Sequence, residues 1–180
     1  HHPSSAASDV YKRQVNDHAN VTANITAKTL TATASASNKV YNGDNTATTT
    51  LTLSGLIGSE TLDTTNNTST FNNKNVGTGK SVTVNSITLA NGTNGGLAAN
   101  YSISSGQTTT ANITAKSLTA TAPVANKEYD ASNAATTTLT LSGFIGTETV
   151  TSTNSSTFND KNVGTGKTVT VNSITLANGT

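Results

Sequence analysis

Few side chains in the sequence could carry out chemistry, and Asp44 is the first to consider. It lies in the stretch NGDN, residues 42–45, whose oxygen-bearing side chains resemble part of a calcium loop. The stretch lacks the spaced acidic ligands and the distal glutamate of such loops. Eighty-eight residues later the counterpart is DASN, residues 130–133, so the set of oxygen ligands is not repeated. We therefore expect no metal site here.

Catalysis needs a nucleophile, a general base or a pair of carboxylates, and none recurs in this chain. There is no cysteine, and the three histidines, His1, His2 and His18, lie near the N-terminal end. Among the acidic residues only Glu60 and its counterpart Glu148 recur, and we interpret them as solvated strand residues. The sequence predicts no catalytic residue, no cofactor and no enzyme activity.

A glycine-containing segment, NVGTGK, occurs at residues 75–80 and again at 162–167. It has part of the composition of a phosphate-binding loop, but the full spacing of that motif is absent. The segment also precedes a strand pattern, whereas a phosphate loop precedes a helix. We interpret it as a glycine-asparagine turn.

The composition limits the fold and the partners. The 180 residues carry a net charge of +1, which is too small to attract nucleic acid or an anionic membrane surface. No run of 18 apolar residues occurs, so no membrane-spanning segment is predicted. Charged residues are 11% and hydrophobic residues 32%, while Thr, Asn, Ser, Ala and Gly are abundant. Because Thr favours strands and Asn and Gly favour turns, this mixture predicts an all-β protein.

The chain repeats itself. Residues 25–62 match 113–150, and residues 71–93 match 158–180 with only Asn73/Asp160 and Ser81/Thr168 different. The length change falls between these blocks, which predicts an exposed loop or a strand end there. A period near 88 residues suits one small β domain, so we expect a tandem array of domains.

The repeat divides the chain into four parts. Residues 1–14 contain no threonine and match nothing in the repeats, so we interpret them as a non-native or disordered N-terminus. Residues 15–24 are predicted to end a preceding repeat. Residues 25–112 form a complete β repeat, called repeat 1, and residues 113–180 form repeat 2, which lacks the last strand or strands.

Alternation and turn residues predict the strands of repeat 1. A slip in the alternation between Val84 and Ile87 predicts a β-bulge, and residues 72–80 are predicted to form a loop. The number of short strands suits an Ig-like β-sandwich. The predicted strands are Ile25–Ala34, Lys39–Tyr41, Thr46–Leu53, Glu60–Thr65, Ser69–Phe71, Ser81–Leu89, Tyr101–Ile103 and Gln107–Ala111.

Several short motifs carry a family resemblance. They are Tyr41-x-Gly43 and Tyr129-Asp130, each followed by a Thr/Ala-rich strand and an LSG turn, then NVGTGKSVTV, NYSI and ITAK. In their order and spacing these motifs resemble the YDG domain. The resemblance covers residues 25–180. It implies tandem repeats in a large bacterial surface or secreted protein of the filamentous-haemagglutinin-like adhesin type.

The residues predicted to form the structural motif are Tyr41, Asn42, Gly43, Gly55, Tyr129, Asp130 and Gly143. Each tyrosine is expected to bury its ring and to bond its hydroxyl to nearby backbone. Asn42 is expected to form the Asx-turn hydrogen bond that Asp130 can form. Because alanine disfavours positive φ, the turn at Ala131 is expected to relax or shift.

The expected function is structural. We expect a stalk or spacer repeat of a bacterial adhesin, extracellular or at the cell surface, whose partners are the neighbouring repeats of the same chain. The junction at residues 108–120 has no proline or glycine, which predicts a semi-rigid connection rather than a flexible linker. The alternative is a module that binds a host glycan or protein through variable loops such as residues 42–45 and 63–70.

Overall fold

The computed structural model describes residues 21–179, and the ordered elements there are β-strands with one short 3₁₀ turn, Ala98–Asn100. Ten strands within this range belong to repeat 1, and the last of them runs to Thr114, two residues past the predicted boundary at 112. They are β1 (Lys28–Ala36), β2 (Lys39–Val40), β3 (Thr46–Ala47), β4 (Thr49–Ser54), β5 (Leu62–Asp63), β6 (Asn67–Phe71), β7 (Gly77–Ile87), β8 (Ala90–Asn91), β9 (Tyr101–Ile103) and β10 (Thr108–Thr114).

These strands form two main sheets. The first has the order β4-β1-β9, and the second has the order β2-β10-β7-β6-β3, while β5 and β8 form a separate pair. Most neighbours are antiparallel, but β1 pairs with β9 and β2 pairs with β10 in parallel. The first and last strands of repeat 1 are therefore hydrogen-bonded to partners that run in the same direction.

The core of repeat 1 lies between the two main sheets. The first sheet contributes Leu30, Leu51 and Tyr101, and the second contributes an aromatic and aliphatic cluster: Phe71, Val82, Val84, Ala111 and Ile113. All are buried, because alternate residues of each strand point to the same side of the sheet. The few buried hydroxyls are paired, and the Thr49 and Ser69 oxygens lie 2.7 Å apart across the interface.

The bulge predicted between Val84 and Ile87 is confirmed. Ser69 pairs with Val84 and Thr68 pairs with Ser86, so Asn85 is the extra residue of β7. The side-chain amide of Asn85 donates to the Thr70 hydroxyl at 3.1 Å. A β-bulge shifts the alternation by one residue, which explains the pattern seen in the sequence.

Several predicted strand bounds were wrong, since β1 begins at Lys28 and not at Ile25, and only Leu62–Asp63 of the predicted Glu60–Thr65 forms a strand. Two further errors depend on strand pairing. Thr46–Leu53 is not one strand, because the chain leaves the second sheet after Ala47 and joins the first at Thr49. Residues 72–80 are not wholly a loop, because β7 begins at Gly77, where it pairs with Ile113 of β10. In both places the pairing partner is distant in the sequence, and local propensity could not reveal it.

Repeat 2 contains fewer paired strands in the described range. Repeat 2 is one residue shorter between the counterparts of β5 and β6, and these two counterparts form one long strand. The length change therefore falls within a strand. The strands are β11 (Thr119–Thr121), β12 (Ala134–Ala135), β13 (Thr140–Ser142), β14 (Val150–Phe158) and β15 (Val169–Asn178). The pairing of β14 with β15 contains the same bulge, with Asn172 as the extra residue. The side-chain amide of Asn172 donates to the Thr157 hydroxyl at 3.1 Å.

The predicted all-β class is confirmed, and the two facing sheets of repeat 1 make a sandwich-like domain. The interpretations of residues 1–14, and of 15–20 as part of an earlier repeat, lie outside the described residues. Within residues 21–179 there is no helix long and apolar enough to cross a membrane.

Candidate functional site: the tyrosine turns and the junction between repeats

The turn that follows Tyr41 is held together by its own side chains. The Asp44 carboxylate accepts hydrogen bonds from Lys39 Nζ at 2.7 Å, from the Thr46 amide at 2.9 Å and from the Thr46 hydroxyl at 2.6 Å. Asn42 Nδ2 donates to the same carboxylate at 2.8 Å, and Asn42 Oδ1 accepts from the Asp44 amide at 3.3 Å. The last contact is the Asx-turn hydrogen bond expected of Asn42.

These contacts also set the ionisation of Asp44. The hydrogen bond from Lys39 is the largest cause, followed by those from Thr46, and together they hold the Asp44 pKa well below its usual range. The ionised carboxylate is thus already engaged by protein donors. Among the residues that the structure describes, no group of three or more His, Cys, Asp or Glu side chains could hold a metal ion.

The turn of repeat 2 reaches the same shape with a different acid. Asp130 Oδ1 accepts from the Ser132 amide at 2.9 Å and from Lys127 Nζ at 2.8 Å. Hydrogen bonds from Lys127 and then from Ser132 lower the Asp130 pKa. Lys127 Nζ also donates to the Ser132 and Ala134 carbonyls, as Lys39 Nζ does to the Asp44 and Thr46 carbonyls.

The backbone of both turns is left-handed at the same point. Gly43 has φ +86°, and its counterpart Ala131 has φ +60°. The expectation that alanine makes this turn relax or shift was therefore wrong, because the surrounding hydrogen bonds keep Ala131 in a conformation that L-residues disfavour. At the LSG turns, Gly55 and Gly143 have φ +102° and +99° and lie against Leu30 and Leu118.

Tyr41 connects the core of repeat 1 with repeat 2. Its ring is half-buried against the cluster that contains Phe71, and its hydroxyl donates to the Glu148 carboxylate of repeat 2. This hydrogen bond, then burial, raises the Tyr41 pKa. Lys74 Nζ lies 3.8 Å from the same carboxylate. The predicted bond from this hydroxyl to nearby backbone was wrong, because its acceptor lies in the next repeat.

Apolar contacts surround this hydrogen bond. Between Tyr41 and Val76 of repeat 1 and Phe144 and Ile145 of repeat 2 lies a groove of about 490 Å³. The backbone approaches closely at Gly43, where a Cβ atom would lie 2.8 Å from Ile145 Cγ2. Glycine thus serves two purposes at this position, since it allows positive φ and leaves room for the neighbouring repeat.

The glutamates bind tyrosines, and sequence reasoning missed this role. Glu60 lies in a turn, where its backbone amide donates to the Ile57 carbonyl at 3.1 Å. Its carboxylate accepts a hydrogen bond from the hydroxyl of buried Tyr101. The Tyr101 hydroxyl also accepts from the Ile57 amide at 3.2 Å. Glu60 and Glu148 are thus not solvated strand residues. The available signal was that this acid alone recurs in both repeats.

The prediction that Tyr129 buries its ring was wrong. Its side chain is 60% exposed, and within residues 21–179 its hydroxyl has no hydrogen-bond partner. The structure therefore brings Tyr41 and Gly43 into contact with repeat 2, while Asn42 bonds within its own turn and Tyr129 and Asp130 lie on a surface of repeat 2. The arrangement at the junction can hold two repeats together, and it aligns no nucleophile with a base.

Comparison with known proteins identifies the two segments. The family profile described as "YDG domain" matches residues 26–111 and 114–180. No curated protein and no solved structure matches the chain significantly.

Proposed function

Because the chain belongs to the YDG-domain family, we propose that it is a non-catalytic spacer segment of a secreted or surface-anchored bacterial adhesin of the filamentous-haemagglutinin-like type. The observation that supports this most is the direct contact between repeats. Tyr41 binds Glu148 across the junction, and Gly43 lies against Ile145. Such contacts link neighbouring repeats directly, as a spacer that carries a distant binding region requires.

The distribution of charge supports a structural role. Asp44, Asp130 and Asp160 each pair with a lysine, and Glu60 and Glu148 each accept a tyrosine hydroxyl. Side chains engaged in this way stabilise turns and junctions, and they are not poised to transfer a proton. The surface, rich in threonine and asparagine and poor in charge, agrees with an extracellular location.

The spacer proposal can be tested by measuring the distance between repeats. The chain has no cysteine, so spin labels can be placed on Thr52→Cys and Thr140→Cys, equivalent exposed positions in repeats 1 and 2. Pulsed electron resonance should give one narrow distance distribution, and Glu148→Ala should broaden it. A broad distribution in the unmodified junction would show a flexible linker and contradict the proposal.

A further inference from the structure

The turn after Tyr41 contains two neighbouring residues that can react with each other. Asn42 carries a side-chain amide, and Gly43 follows it without a Cβ atom. The Gly43 backbone nitrogen can therefore approach Cγ of Asn42 without the hindrance that a side chain would cause. The counterpart pair in repeat 2, Asp130-Ala131, has neither the amide nor the glycine. The two turns share one backbone shape, so they differ in their chemistry.

The surroundings of Asn42 favour this reaction. The Gly43 amide donates to no acceptor within residues 21–179, so no hydrogen bond restrains its nitrogen. Asn42 Oδ1 accepts from the Asp44 amide at 3.3 Å, and this hydrogen bond spans Gly43. Attack on Cγ places negative charge on Oδ1, and a backbone amide that already points at this oxygen stabilises the charge. Asn42 is also exposed, so water reaches the turn.

Three other Asn-Gly pairs occur in the chain, namely Asn91-Gly92, Asn94-Gly95 and Asn178-Gly179. Asn91 Oδ1 accepts from the Ala98 amide at 2.8 Å. The Gly92 nitrogen, however, already donates to the Gly96 carbonyl at 3.1 Å. The side-chain oxygens of Asn94 and Asn178 accept from no donor within residues 21–179. In the described part of the chain, only the pair at Asn42 combines an unrestrained nitrogen with a donor at the oxygen.

We propose that Asn42 is a site of self-modification, in which the Gly43 nitrogen closes a succinimide ring on Asn42 Cγ. The bond from the Gly43 nitrogen to Cγ forms, and the bond from Cγ to Nδ2 breaks. The Gly43 amide proton is given up to solvent, and Nδ2 takes a proton from solvent and leaves as ammonia. Water then opens the ring at either of its carbonyl carbons. The products are aspartate and isoaspartate at position 42.

Both products disturb the turn. Asn42 Nδ2 donates to Asp44 Oδ2 at 2.8 Å. Aspartate at position 42 replaces this donor with a carboxylate oxygen, so that two negative charges face each other. Isoaspartate adds a carbon to the backbone between residues 42 and 43, which moves the side chain away from the Asp44 amide. The modification therefore loosens the turn after Tyr41.

Repeat 2 avoids such a pair of acids. It has Asp130 at the first position of the turn and Ser132 in place of Asp44. Asp130 accepts from the Ser132 amide at 2.9 Å, and residues 129–133 contain no second acid. Each turn thus carries one carboxylate, and the reaction gives the turn of repeat 1 a second one. The inference concerns this turn alone and does not depend on the spacer role.

The test is incubation of the 180-residue chain in mildly alkaline buffer, followed by tryptic peptide mapping with mass spectrometry. Peptide 40–74 should gain about 1 Da at Asn42 and contain both aspartate and isoaspartate. Asn91 and Asn94, in peptide 81–116, should react at least about fivefold more slowly, which is the effect of one hydrogen bond. In urea the three sites should react at similar rates, because the turn is lost.

Variants separate the reaction from its consequence. Asn42→Gln keeps an amide but lengthens the side chain by one carbon, and it should abolish ring closure at this position. Asn42→Asp, which is the aspartate product, should lower the melting temperature by about 2–4 °C. Asn42→Asp combined with Asp44→Ser recreates the Asp130 and Ser132 pair of repeat 2. This double variant should recover most of the loss.

Three results would overturn the inference. The first is an Asn42 that stays unmodified, or that reacts no faster than Asn91 and Asn94 in the folded chain. The second is a preference for Asn42 that persists in urea, because the preference then comes from the local sequence and not from the turn. The third is an Asn42→Asp chain as stable as the unmodified one, which shows that the modification does not loosen the turn.

Discussion

The two tyrosine turns reach one backbone shape with different side chains. In repeat 1 the acid is Asp44, and in repeat 2 it is Asp130, two positions earlier in the aligned turn. A lysine from the preceding segment binds the acid in both, and it also donates to the two equivalent backbone carbonyls. What both repeats preserve is the lysine-to-turn contact and the positive φ. A binding loop for a cation would instead preserve the positions of its oxygen ligands.

The largest difference in stability between the two repeats should come from substitutions in their cores. Phe71 is fully buried in one cluster with Val82 and Ile113, whereas its counterpart Phe158 is half-buried. Phe71→Ala should reduce the free energy of unfolding by about 3–5 kcal/mol, and Phe158→Ala should reduce it by less. Native-state amide exchange, read separately for the two repeats, measures both values. Equal losses would mean that repeat 2 is as well packed as repeat 1.

The left-handed position offers a reciprocal pair of substitutions. Gly43→Ala should destabilise the chain by at least about 1–2 kcal/mol, because a side chain at positive φ is strained and here would also contact Ile145. Ala131→Gly removes the strain and should stabilise repeat 2 by at most about 1 kcal/mol. Chemical denaturation of both variants checks the pair. The comparison fails if the two substitutions have the same sign.

The tyrosine hydroxyls allow a smaller and more local test. Tyr41→Phe removes the hydrogen bond to Glu148 and should weaken the junction, with a loss of stability well below that of Phe71→Ala. Tyr129→Phe is the matched control, because its hydroxyl has no partner in the described residues. Melting temperatures of the two variants should differ in this direction. An identical change in melting temperature would mean that the Tyr41 hydroxyl adds no stability and that only its ring contributes.

Acid should destabilise the turns of both repeats, though the effects should be small because all three carboxylates are exposed. Asp44 in repeat 1, and Asp130 and Asp160 in repeat 2, have pKa values lowered chiefly by lysine hydrogen bonds. A lowered folded-state pKa contributes stability above the unfolded pKa of about 4, and that contribution is lost as the pH falls further. Amide exchange at decreasing pH, read separately for the two repeats, measures the loss of stability in each.

The same experiment has an internal control. Asp160→Asn reproduces repeat 1, where Asn73 accepts from Lys80 Nζ at 2.7 Å in the equivalent place. The variant should reduce the acid sensitivity of repeat 2. An unchanged sensitivity would assign it to Asp130.

The sequence predicted the features that depend on neighbouring residues. The all-β class, the bulge near Val84 and the Asx turn at Asn42 follow from alternation and from short-range hydrogen bonds, and the structure confirms them. The roles of Glu60 and Glu148 were missed, because their tyrosine partners lie far along the chain. The strand start at Gly77 was missed because its partner is β10. Distance in sequence, and not chemistry, separates the two groups.

The parallel pairing at the ends of repeat 1 has a mechanical consequence. The early strands β1 and β2 are hydrogen-bonded in parallel to the late strands β9 and β10. When the two ends of the repeat are pulled apart, parallel partners are drawn in opposite directions along their length. All the hydrogen bonds of each pair are then loaded together in shear and cannot open one at a time. Repeat 1 therefore resists tension along the chain through hydrogen bonds that must break together.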